Sequence, residues 1–113
     1  MKKNIFSMTL STPFHEYRAL DESISVIRSM WTQQRATFIG KHYSIKDVIC
    51  NPKPIQKPHP VIMIGGEGER YLLKVVAKHA DRYNHPCGSI QVLKRKISII
   101  KELVLPLAVI LKI

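Results

Sequence analysis

Apolar residues recur at spacings of three and four along two stretches of the chain, and between them lies a short apolar run that stops at glycine. Tyr17, Leu20, Ile24, Ile27 and Trp31 make the first stripe, with Arg18, Asp21, Glu22, Ser25 and Arg28 mostly off it. This pattern predicts an amphipathic helix. Ser11-Thr12-Pro13 starts it, a hydroxyl cap followed by a proline where no N–H needs a partner. The helix is expected to end near Thr32, and Tyr17 and Trp31 read as core packing. Ile90, Leu93, Ile97, Ile100 and Val104 make the second stripe, with Lys94, Arg95, Lys96 and Lys101 off or beside it. From Leu103 onward the chain has almost no polar face.

The apolar run is Val61-Ile62-Met63-Ile64, which reads as a strand buried on both faces. Gly65 and Gly66 let the backbone turn sharply and approach a ligand. Leu72, Leu73, Val76, Ala77 and Ala80 then recur at helical spacing. Glu67 and Glu69 near the start of that helix and Lys74, Lys78 and His79 toward its end complement its dipole. Asp81-Arg82-Tyr83-Asn84 is a candidate second strand, and His85 to Ser89 turns the chain. Ahead of the run, Ala36 to Ile45 reads as two extended pieces around a turn at Gly40-Lys41. Asn51 to Pro60 carries four prolines, all within the nine positions from Pro52, expected to hold an extended approach. The excursion from Ala36 to Pro60 is long for a minimal domain, and such excursions usually cover a site or a neighbouring face. The order of elements points to an α/β fold with parallel strands. Two strands cannot close a parallel sheet, so the rest is missing or another chain supplies it.

Composition narrows this picture only a little. A chain of 113 residues with 45% hydrophobic positions suits one small domain. The formal charge of +10, from 18 basic and 8 acidic residues, permits nucleic-acid or membrane-surface contact without requiring it. Two cysteines, Cys50 and Cys87, are too few for a disulfide framework, so the cytoplasm is the expected compartment. Met1 to Leu10 lacks the uninterrupted apolar region of a signal peptide. The apolar tail falls short of the roughly 20 residues that a membrane span needs.

Four pieces resemble the bacterial-luciferase-like monooxygenases, in particular the branch that uses the deazaflavin coenzyme F420. Leu20 to Trp31 resembles that family's helix ending in a Leu-Trp or Met-Trp pair. Phe38-Ile39-Gly40-Lys41-His42-Tyr43 is similar to its Phe-x-Gly-x-x-Tyr turn. Asn51 to Gly66 resembles its proline-rich approach to a Gly-Gly turn, and Ala77 to Asn84 its Ala-x-x-Ala-Asp-Gly-Trp-Asn. The resemblance implies a (β/α)8 barrel, which usually takes about 250 residues, so the chain is expected to be an incomplete central fragment. The expected divisions are an atypical N-terminal segment at 1–12, a partial luciferase-like domain at 13–102 and an atypical apolar tail at 103–113. Both ends read as frame changes or a degraded gene. The missing barrel segments, or a second copy, are the expected partners.

By the same resemblance, the chain is an oxidoreductase or monooxygenase domain acting on a small organic substrate, with F420, or alternatively FMN, as cofactor. Gly65, Gly66 and Glu67 are carried over as the turn that meets the cofactor phosphate. Glycine amides at a helix N-terminus suit an anion, and Glu67 must then turn its side chain away. No catalytic residue is assignable, and the isolated fragment is expected to be inactive. In place of the family's Gly-Trp this sequence has Arg82-Tyr83.

Other motifs are weaker. Gly66-Glu67-Gly68-Glu69-Arg70-Tyr71 lacks the third glycine of a dinucleotide turn, and no Walker lysine follows. His79, His85 and Cys87 could be imagined as zinc ligands, but His85-Pro86-Cys87 is too cramped for a usual pair and a fourth ligand is not evident, so no metal is expected. Lys94-Arg95-Lys96 with Lys101 reads as a solvated basic face. The alternative function is a non-catalytic basic module binding nucleic acid or a partner chain, and it lacks interleaved aromatic residues.

Overall fold

The computed structural model describes residues 12–86 and 88–111. Residues 1–11, Cys87 and residues 112–113, for which expectations were stated above, lie outside the described residues. Two compact units divide the chain, Met1–Lys53 and Pro54–Ile113.

In the first unit, helix α1 spans Pro13–Thr32, as the stripe predicts. Thr12 caps it: the His15 amide donates to Thr12 Oγ1 at 3.2 Å, and Pro13 opens the first turn. Ile24 is buried, but Ile27 on the same stripe stays 43% exposed. Strands β1 (Ala36–Ile39) and β2 (Ser44–Val48) pair antiparallel, so the two extended pieces form a hairpin. The register slips between Ala36 and Phe38. Opposite that slip Asp47 takes a φ of 52°, a left-handed conformation that aspartate tolerates better than most residues. Its amide donates to Thr37 Oγ1 at 3.0 Å.

The hairpin packs on α1, and Glu22 is what fastens it. This carboxylate is 8% exposed and accepts the amides of Lys41 (3.0 Å), His42 (2.8 Å) and Tyr43 (3.0 Å). A Cβ on Gly40 would collide with Glu22 Oε1, so glycine is what lets the carboxylate reach into the turn. Burial raises the Glu22 pKa, and the three amides outweigh it, leaving the carboxyl below its ordinary range. The expectation that Glu22 lies on a polar face is corrected accordingly: its position is off the apolar stripe, but a neighbouring turn covers it.

In the second unit, β3 (Met63–Gly65) is followed by α2 (Leu72–His79), β4 (Arg82–Asn84) and α3 (Ile90–Leu111). The strands run parallel, with Met63 opposite Arg82, Ile64 opposite Tyr83 and Gly65 opposite Asn84. Asp81 opens the pairing, its Oδ2 accepting the Ile62 amide at 3.0 Å while its own amide donates to Ile62 O at 2.8 Å. Leu73, Val75, Val76 and Ile64 form the core, and α2 packs on α3.

Three expectations change here. β3 is buried on one face only, with Ile64 at 7% and Met63 at 56% exposure. Successive strand residues point to opposite faces, and burying both takes helices on both sides. The two helices of this unit pack on each other instead. Second, α2 begins at Leu72, so Glu67 and Glu69 precede it rather than lie in its first turn. Third, the proline-rich approach bends over Ile55–His59, because proline fixes φ but leaves ψ free and no neighbouring strand holds the segment straight. Helix α3 runs unbroken through Glu102 and Pro106 to Leu111. Among the described residues the two sheets have two strands each and form no closed barrel. No helix among them is long and apolar enough to cross a membrane.

Candidate functional site

The segment Gly65 to Arg70 joins the end of β3 to α2, at the C-terminal edge of the parallel strand pair. In α/β folds this edge is where ligands bind. Gly66 has a φ of +144°, a backbone conformation that side chains rarely adopt, and a Cβ there would collide with Leu72 Cδ2. The tight turn therefore depends on glycine at this position.

The expectation that the Gly66 amide is bare and stands at a helix N-terminus is corrected. The Gly66 amide donates to the Asn84 carbonyl at 3.3 Å, and helix α2 starts six residues beyond it. Glu67 is exposed, so its carboxylate is solvated rather than packed into the turn.

Neighbouring elements hold the turn by its carbonyls. From β4, the Tyr83 hydroxyl donates to Gly66 O at 2.5 Å and lies 3.5 Å from His85 Nδ1. Burial raises the Tyr83 pKa, with Glu67 and Glu69 adding to the rise and Lys96 opposing it, so the phenol keeps its proton. From α3, the Lys96 ammonium donates to Glu67 O and pairs with Glu69 Oε2 at 3.1 Å. Arg95 grips the same carboxylate through both oxygens, each at 3.0 Å. Hydrogen bonds from Arg95 first, then from Lys96, hold the Glu69 carboxyl down at about 2. Glu67 and Glu69 therefore serve as the docking point for α3, not as complements to the α2 dipole.

Lys96 is only 7% exposed, although lysine is almost never buried unless paired. The expected solvated basic face is therefore broken, with Lys96 inside and Arg95 engaged. A signal was available. Lys96 sits three residues after Leu93 and four before Ile100, on the inward stripe itself. Nothing in the sequence marked Tyr83 as a partner of Gly66, since the two are 17 positions apart. Among the described residues no group of three or more His, Cys, Asp or Glu side chains could hold a metal ion.

Comparison with known proteins gives a consistent picture. The family described as luciferase-like monooxygenase matches residues 5–102. The FMNH2-dependent dimethylsulfone monooxygenase of Pseudomonas putida is 32% identical over 85 residues, covering 75% of this chain and 23% of that protein. The F420-dependent glucose-6-phosphate dehydrogenase of Microbacterium testaceum is 36% identical over 52 residues, 46% of this chain and 15% of that protein. An uncharacterized protein of Mycobacterium tuberculosis is 32% identical over 62 residues, 55% of this chain and 22% of its own length. The chain thus spans about a quarter or less of these curated relatives.

Proposed function

Because the chain belongs to the luciferase-like monooxygenase family, we propose that it is the central part of a (β/α)8 barrel oxidoreductase and contributes the turn that holds the phosphate of a flavin or deazaflavin. The observation that carries this reading is the position of the 65–70 turn. It closes a parallel strand at its C-terminal edge, inside the matched region, and has two cationic side chains against it.

The residues present fit the phosphate end of such a cofactor. A glycine turn supplies backbone donors at short range, and Lys96 and Arg95 supply positive charge beside it. When bound, the cofactor supplies the redox chemistry, a hydride transfer to or from an organic substrate or a monooxygenase reaction. The protein's part here is to bind and orient. Glu69 keeps the two cations in place, Tyr83 and Lys96 hold the turn, and the turn that begins at Gly65, Gly66 and Glu67 is set against the phosphate, with the Gly66 amide itself committed to Asn84. One relative is named for FMNH2 and another for F420, so either cofactor suits this reading. A small organic molecule is the substrate class.

We further propose that the remaining barrel strands come from further segments or a second copy, and that the isolated chain binds cofactor weakly and turns nothing over. Val61, Met63 and Ile90 are each more than half exposed, as expected of faces built for additional layers. Titration with FMN and with F420, followed by cofactor fluorescence, tests the reading. The expected result is saturable binding once the missing segments are joined to the chain, and weak binding without them. Binding to nucleic acid that falls steeply with salt, together with indifference to both cofactors, would replace it with the basic-module reading.

A further inference from the structure

Three consecutive peptide units of the turn are each pinned on one side. The first is held through the Gly66 amide, which donates to Asn84 O. The second is held through the Gly66 carbonyl, which accepts from the Tyr83 hydroxyl. The third is held through the Glu67 carbonyl, which accepts from Lys96. A trans peptide is planar, and its C=O and N–H point in opposite directions. Drawing the Gly66 carbonyl toward Tyr83 therefore turns the Glu67 N–H away from Tyr83. Drawing the Glu67 carbonyl toward Lys96 turns the Gly68 N–H away from Lys96 in the same manner.

We propose that Tyr83 and Lys96 are positioning residues that clamp the Gly66 and Glu67 carbonyls and so present the Glu67 and Gly68 amides as the pair that binds a phosphate-bearing ligand. The inference rests on the cofactor reading for the identity of the ligand, and it moves the recognition point from Gly65 and Gly66 to the two residues that follow. Successive amides of this kind make an anion-binding concavity. The Lys96 ammonium lies behind the same peptide units, paired with Glu69. Its burial has a physical reason in this arrangement. A lysine ammonium with three donors spends one on the Glu67 carbonyl and one on Glu69, and Glu69 supplies the counter-charge that lets it stay out of water. The clamp also explains why one turn engages residues from both β4 and α3, since neither element alone could orient two successive peptide units.

The test is nuclear magnetic resonance of the 113-residue chain labelled with ¹⁵N, with FMN, riboflavin and inorganic phosphate as probes. This readout detects weak binding. In the wild type, FMN and phosphate should move the Glu67 and Gly68 amide resonances more than those of Gly65 and Gly66, and riboflavin should not. Tyr83→Phe removes only the hydroxyl and should displace the Glu67 amide before any ligand is added. Lys96→Met should displace the Gly68 amide, and each variant should weaken FMN by about tenfold, a clear shift in Kd. Lys96→Gln keeps a donor for the Glu67 carbonyl and should hold the Gly68 amide near its wild-type position. If Lys96→Met does not fold, Lys96→Gln and Tyr83→Phe decide the matter on the same resonances. Amides that stay in place in Tyr83→Phe and Lys96→Met, or move equally in Lys96→Gln and Lys96→Met, would overturn the clamp. A wild type that responds to no probe, while the variants displace the amides as described, would overturn the ligand assignment and the cofactor reading but leave the clamp standing.

Discussion

Glu22 Oε1 accepts the backbone amide of His42 at 2.8 Å, although the two residues are 20 positions apart. This bond and its neighbours from Lys41 and Tyr43 tie helix α1 to the tip of the β1–β2 hairpin. A carboxylate accepting three amides is favoured in its charged form. Its folded pKa therefore lies below the ordinary value of 4.5.

The sign of the pH dependence follows. A group with a depressed folded pKa contributes stability that is complete above its unfolded value and is lost as pH falls through the folded one. Wild-type stability, followed by denaturant unfolding, should therefore drop as pH is lowered from about 4.5. Glu22→Gln should be less stable than the wild type at neutral pH, and the gap should narrow in acid. A gap that does not change with pH would show that Glu22 acts by shape rather than charge.

Glu69 behaves in the same direction. Its folded value is about 2, so its contribution is lost as pH falls from the ordinary carboxylate range toward that value. The Arg95 side chain is 69% exposed, so salt screens its share of the pairing. Glu69→Gln should lower the denaturant midpoint at neutral pH and low salt, with a smaller loss in high salt. Equal losses at both salt concentrations would place the effect in packing.

Gly66→Ala should destabilise the chain by about 1–3 kcal/mol, the usual cost of a strained backbone conformation. Two causes combine, the φ of +144° and the collision of the new Cβ with Leu72 Cδ2. A double-mutant cycle separates them. Adding Leu72→Ala should relieve the collision and leave the strain, so the coupling between the two positions should be favourable but incomplete. No coupling would mean that Leu72 moves aside at no cost.

Leu73 is 0% exposed and at the centre of the second unit's core. Leu73→Ala should cost about 2–5 kcal/mol, the transfer term plus the cavity left behind. Thermal unfolding by circular dichroism measures it. A change below about 1 kcal/mol would mean that the site collapses around the smaller side chain.

Local rules were enough for the elements that depend on neighbours in sequence. Thr12 and Pro13 set the start of α1 because capping involves only the first turn. Ile64 was readable as a strand position, since a short apolar run bounded by glycine carries that signal by itself, whereas Tyr83 lies in a polar segment, Asp81 to Asn84, that reads only as a candidate strand. Gly66 was readable as a turn residue, and its positive φ bears this out. Lys96 is the exception: its charge suggests a solvated position, while its spacing from Leu93 and Ile100 puts it on the inward face.

The sequence by itself determined where helices and strands form, that the strands of the glycine unit run parallel, and, through four short motifs in order, the family. Each of these follows from residues close together in the chain or from their pattern along it. Only the tertiary structure decided that Glu22 turns inward to hold the 41–43 amides, that the Gly66 amide is spent on Asn84, and that Tyr83 and Lys96 converge on the turn. The reason is physical. A polar side chain's role depends on which backbone groups lack a partner nearby, and those groups come from elements 17 to 29 positions away, which folding alone brings together.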